Sequence, residues 1–92
     1  MQIKYKKTNN IQDAYRVVKG RINHDALAKM NIKADITCQD ERPAILAKGK
    51  GFSVSISFHT DHCHCELDLT LMLKPFRARI EESLKKEIES VV

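Results

Sequence analysis

The chain contains no tryptophan and few other aromatics: two tyrosines and three phenylalanines. It also has only two prolines and three glycines. No apolar run approaches the roughly 18–20 residues that a membrane-spanning helix needs. The opening stretch, MQIKYKKTNN, is basic, but no apolar core follows it, so it does not read as a secretory signal and a cytoplasmic location is expected. Internal repeats, low-complexity tracts and linkers are lacking, and no catalytic motif stands out from the background. The three cysteines are odd in number, and Cys63 and Cys65 are too close together for an ordinary framework disulfide. A reducing compartment fits that usage.

What remains is the composition of a single folded domain spanning residues 1–92, with 42% hydrophobic and 30% charged residues. A chain of this length folds with a thin stability margin. The net charge of +4 is a mild excess and gives no strong nucleic-acid signal.

The segments follow one another clearly. Alternation from Gln2 to Lys7, with Ile3 and Tyr5 on one side, predicts a strand. Asn10 is placed to cap a helix by accepting from the Asp13 amide, and Ile11, Ala14, Tyr15, Val18 and Ile22 form its apolar stripe. The phase then slips, predicting a kink or a second short helix capped by Asn23 or Asp25 and ending near Asn31. Ile32, Ala34, Ile36 and Cys38 alternate as a second strand, and Ala44–Lys48 reads as a third. Gly49 is expected to supply the positive φ of the following turn.

The clearest pattern comes next. Phe52, Val54, Ile56 and Phe58 alternate with serines and His59; after Thr60-Asp61, Cys63, Cys65, Leu67 and Leu69 alternate with His62, His64, Glu66 and Asp68. With Thr60 and Asp61 as the turn, Phe58 faces Cys63, Ile56 faces Cys65, Val54 faces Leu67 and Phe52 faces Leu69. Pro75 suits a first helical turn, and Phe76, Ile80, Leu84, Ile88 and Val91 share the buried stripe of a closing helix. Glu81–Lys85 and Glu82–Lys86 are spaced for ion pairs. The sum is β-α-β-β-β-β-α, an α+β two-layer domain with an antiparallel sheet of about five strands and two helices on one face.

The string His62-Cys63-His64-Cys65 resembles a metal site only superficially. Neighbours in a strand point to opposite faces, so the cysteines turn inward and the histidines outward. His59, His62 and His64 are left on one wet face, at a spacing that suits Zn²⁺, Ni²⁺ or Cu²⁺. The same geometry separates thiol from imidazole and argues against a Cys–His nucleophile. Glu66 and Asp68 share a flat face without the cleft that paired acid–base work requires. The chain is therefore expected to be no enzyme and to carry no cofactor. A base-stacking RNA surface needs outward aromatics, whereas Phe52 and Phe58 point inward. Lys74, Arg77 and Arg79 cluster at the start of the last helix, where cations oppose the helix dipole, and so mark a corner for an anionic partner.

The stretch KGKGFSVSISF and the C-terminal ELDLTLMLKPFRARIEESLKKEIESVV together resemble the polyhydroxyalkanoic acid system protein family over residues 49–92. The positions that carry the likeness are Gly49, Gly51 and Phe52, then Leu71, Leu73, Lys74, Pro75, Phe76, Arg77, Arg79, Ile80 and Glu81. Ala78 stands where many relatives have glycine, and the HCHC strand is this chain's own. The resemblance implies a cytoplasmic, non-enzymatic accessory protein, bound at a polyhydroxyalkanoate granule or to a granule protein, or regulating that system. It supplies no catalytic residues.

A second reading is a carrier of a small hydrophobic ligand, held between sheet and closing helix by Phe52, Val54, Ile56, Phe76, Ile80 and Leu84. So short a chain is expected to fill its core; an apolar cavity of a few hundred Å³ would favour the carrier instead. Edge strands at Ala44–Lys48 or Ile3–Lys7 are expected to be open to pairing in a homodimer.

Overall fold

The computed structural model describes residues 1–22 and 33–92. The element order is β1 (Gln2–Lys4), α1 (Ile11–Arg21), β2 (Ala34–Gln39), β3 (Ala44–Gly49), β4 (Phe52–Phe58), β5 (His62–Leu69), a 3₁₀ turn (Lys74–Phe76) and α2 (Arg77–Glu89). The strands form one antiparallel sheet in the order β1-β5-β4-β3-β2. The expected second helix near Asn31 and the start of the second strand at Ile32 lie outside the described residues.

Alternation sets which face is buried. Ile45 and Ala47 from β3, Ile56 and Phe58 from β4, and Cys63, Cys65 and Leu67 from β5 are all buried. Ala14, Tyr15 and Val18 from α1, Ile88 from α2, and Val92 beyond it close over that face. Asn10 caps α1 as its side chain predicts, accepting from the Asp13 amide at 2.8 Å. The β4–β5 register matches the hydrophobic pairing: Phe58 opposite Cys63, Ile56 opposite Cys65, Val54 opposite Leu67 and Phe52 opposite Leu69. The His59 amide donates to the His62 carbonyl at 2.8 Å, leaving Thr60 and Asp61 as the turn.

Several local expectations need correction. β1 stops at Lys4 because the chain then turns to the C-terminal residue: the amides of Lys6, Lys7 and Thr8 all donate to the Val92 backbone oxygen. The positive φ of the β3–β4 turn belongs to Gly51, at +88°, and not to Gly49. Gly49 stays in the strand, opposite Phe52, whose ring occupies the space a Cβ would need. Ala44–Lys48 is not an edge, because β3 lies between β2 and β4; the sheet edges are β1 and β2. Glu81 pairs with Arg77 at 3.0 Å and not with Lys85, which reaches Glu89 at 3.8 Å. The Glu82–Lys86 pair forms, at 3.4 Å.

The stripe on α2 is not evenly buried. Ile88 is buried, Ile80 and Leu84 are half-buried, and Phe76 is exposed. The C-terminal end of the helix is therefore seated in the core, while its N-terminal half stands away from the sheet. No helix among the described residues is long and apolar enough to cross a membrane.

Candidate functional site

The space left by that standing-off is a cleft of about 460 Å³. Its sheet wall is Ile45, Ala47, Phe52, Val54 and Ile56; its helix wall is Ile80, Ser83 and Leu84. Leu73 closes one end, and Ile22 at the end of α1 closes the other side. Two small residues, Ala47 and Ser83, add room where larger ones would fill it. The strand alternation aims the half-buried Val54 and the buried Ile56 into this space, and the opposite-face residues of the same strand, Ser53 and Ser55, turn away from it.

The charged residues of the cleft are Arg21, Arg79 and Glu87. The Arg21 guanidinium donates to the Glu87 carboxylate at 2.7 Å and ties α1 to α2 beside the cleft. Both partners are about half exposed, so the pair contributes little to stability. Arg79 is exposed and makes no ion pair among the described residues. A slot with apolar walls and a cation at its rim suits an amphipathic molecule: a hydrocarbon body inside and a polar head at the edge.

Of the six residues expected to line such a cavity, Phe52, Val54, Ile56, Ile80 and Leu84 do so. Phe76 does not; it is 51% exposed in the 3₁₀ turn, before α2 begins. Ala47, Leu73, Ser83, Arg21 and Ile22 are lining residues that the pattern did not suggest. Ala47 and Leu73 were findable, being apolar positions on the inward side of the sheet and its exit. Ser83 carries no such signal.

The cluster of three cations separates. Arg77 donates to Glu81 and to the Leu67 carbonyl, so its guanidinium is engaged within the fold. Lys74 and Arg79 stay exposed.

The histidines lie where the alternation puts them. His59 and His62 stack across the hairpin, with ring centroids 4.8 Å apart. His62 Nδ1 lies 2.7 Å from the Asp61 carboxylate, which holds that carboxyl below its ordinary range. His64 Nε2 lies 3.3 Å from Glu66. The described residues bring no three metal-binding side chains into one coordination shell.

The cysteines are free, with Cys63 and Cys65 buried. Contact with Cys63 and burial together push the Cys65 thiol well up, so it stays protonated. The same contact lowers the Cys63 thiol, and both side chains pack in the core as small apolar groups.

No family model, curated protein or solved structure matches this chain.

Proposed function

We propose that this protein is a non-enzymatic binding module that takes an acyl chain, or an apolar ligand of similar shape, in the cleft between the sheet and α2. The observation that carries this reading is the apolar cleft of about 460 Å³, within the range of about 300–1,000 Å³ typical of ligand pockets. A chain of 92 residues has little core to spare, so a space of that size departs from the filled interior expected of it. Arg79 at the rim meets the head of a fatty acid or related anion.

The likeness of residues 49–92 to polyhydroxyalkanoic acid system proteins supports the same ligand class, since the repeating unit of that polymer is a hydroxyacyl group. The three free thiols support a cytoplasmic setting.

Calorimetric titration with dodecanoate tests the proposal. Saturable binding at one site per chain, with a negative heat-capacity change, is the expected result. Absence of binding heat across several temperatures would reject it.

A further inference from the structure

The three large apolar side chains that the described residues expose lie together. Leu71 is 81% exposed, Met72 85% and Phe76 51%, all in the connection between β5 and α2. Exposed apolar residues scattered singly need no explanation, but three within one short connection form a patch. The alternation of β5 ends at Leu69, and the turn that follows directs Leu71 and Met72 outward while Leu73 turns back into the cleft.

Cations from separate segments converge on the same end of the sheet. Thr70 donates to the Gly51 carbonyl at 3.0 Å, which sets the β3–β4 turn, with Lys50, beside this connection. The backbone oxygen of Lys33 lies 2.9 Å from the Cβ position of Gly49, which brings the start of β2 to the same end. Lys74 is in the connection itself, and Arg79 lies in the first turn of α2. Lys33, Lys50, Lys74 and Arg79 are exposed and make no ion pair among the described residues. Of the acids near this end, Asp35 and Asp68 sit opposite Lys48 and Ser53 on the outward face of the strands, and Glu81 and Glu82 in α2 are paired with Arg77 and Lys86. The other end of the sheet also carries exposed cations, Lys4, Lys6, Lys7 and Arg42, but there Asp40, Glu41 and Asp61 in the turns offset most of that charge.

We propose that this end of the molecule docks on the surface of an anionic phospholipid membrane. Leu71 and Met72 enter the headgroup–acyl boundary, with Phe76 beside them, and the four cations meet lipid phosphates. An apolar tip beside lysines that make no ion pair among the described residues has the chemistry of an interfacial anchor, where shallow burial and electrostatic attraction add. The anchor rests on the acyl-binding reading in one respect: Leu73 and Arg79 border both tip and cleft, so docking would set the mouth of the cleft against the lipid from which a chain is loaded.

Cosedimentation with vesicles, in the absence of any added fatty acid, tests the docking alone. Vesicles of phosphatidylglycerol and phosphatidylcholine should retain the protein at low salt and release it as salt rises. Vesicles of phosphatidylcholine alone should retain at least ten-fold less. The double variants Leu71→Asp/Met72→Asp and Lys50→Glu/Lys74→Glu should each lose retention by ten-fold or more. None of these four residues lines the cleft, so both variants should titrate with dodecanoate as the parent does. Equal retention on neutral vesicles, unchanged retention of either variant, or no retention at all would overturn the docking proposal. A failure of dodecanoate binding with vesicle retention intact would instead reject the cleft's role and leave the anchor standing.

Discussion

At the scale of single residues, glycine and tyrosine show how local chemistry fixes this fold. Gly51 adopts φ +88° in the β3–β4 turn, and a side chain there would also meet Leu73 Cδ1 at 3.1 Å. Gly51→Ala should therefore destabilise the protein by about 1–2 kcal/mol in urea unfolding, the cost of forcing a Cβ into the left-handed region. The two tyrosines predict a pH dependence. The Tyr5 hydroxyl donates to the His59 carbonyl at 2.8 Å, and burial is the main cause that raises its pKa from 10.0 to about 12. Burial and a 2.7 Å bond to the Asp40 carboxylate raise Tyr15 further. The folded state thus holds these phenolic protons more tightly than the unfolded chain does. Below pH 10 neither state has released them and no slope arises; between pH 10 and 12 the unfolded chain loses protons that the folded one keeps, so stability falls as pH rises. Tyr15→Phe should flatten that decline by at most about 1.4 kcal/mol per pH unit. Urea denaturation at pH 9, 10 and 11 measures the difference, and parallel curves for parent and variant would contradict the assignment. The glycine pair also shows where reading from sequence stops. Both positions are visibly turn-forming, but which one takes positive φ depends on the register of the hairpin, and Phe52 lying over Gly49 keeps that residue in the strand.

At the scale of elements, the β4–β5 register was legible, because a one-residue slip would carry Phe58 and Cys63 to the wet face, whereas Thr60-Asp61 is not a favoured turn pair and left a longer, bulged loop open. The order of strands was not legible, since alternation says nothing about neighbours; only the pairing of β3 with both β2 and β4 makes it interior. Phe76 was misassigned for a helical reason. It lies in a 3₁₀ turn, with three residues per turn, so its direction is out of phase with the α-helical stripe it precedes. The burial gradient along α2 gives a paired prediction. Ile88→Ala should cost about 2–5 kcal/mol, as for other fully buried aliphatic truncations. Leu84→Ala, at a half-buried cleft position, should cost about 1 kcal/mol or less while weakening dodecanoate binding. Thermal melts and titrations of the two variants separate the anchoring end of the helix from its cleft-lining end. Similar stability losses for both would mean that the helix is seated along its whole length.

At the scale of the whole molecule, one antiparallel sheet is sealed where Ile88 and Val92 are buried and is left with a cleft beside the half-buried Ile80 and Leu84. The apolar positions that face the cleft were readable from period-2 and period-3.6 patterning. The gap between the layers was not, because it depends on how the two layers meet and on two small side chains, Ala47 and Ser83, in its walls. Filling the gap from within is accordingly the sharpest probe of what it does. Ala47→Phe places a ring into the cleft from the sheet wall, and Ser83→Trp does so from the helix wall without disturbing a buried position. Calorimetric titration of dodecanoate into the parent and both variants should show one saturable site in the parent. Binding should weaken at least ten-fold in each variant that retains the parent's far-ultraviolet circular dichroism. Undiminished binding in a folded, cleft-filled variant would contradict the assignment of the cleft as the ligand site.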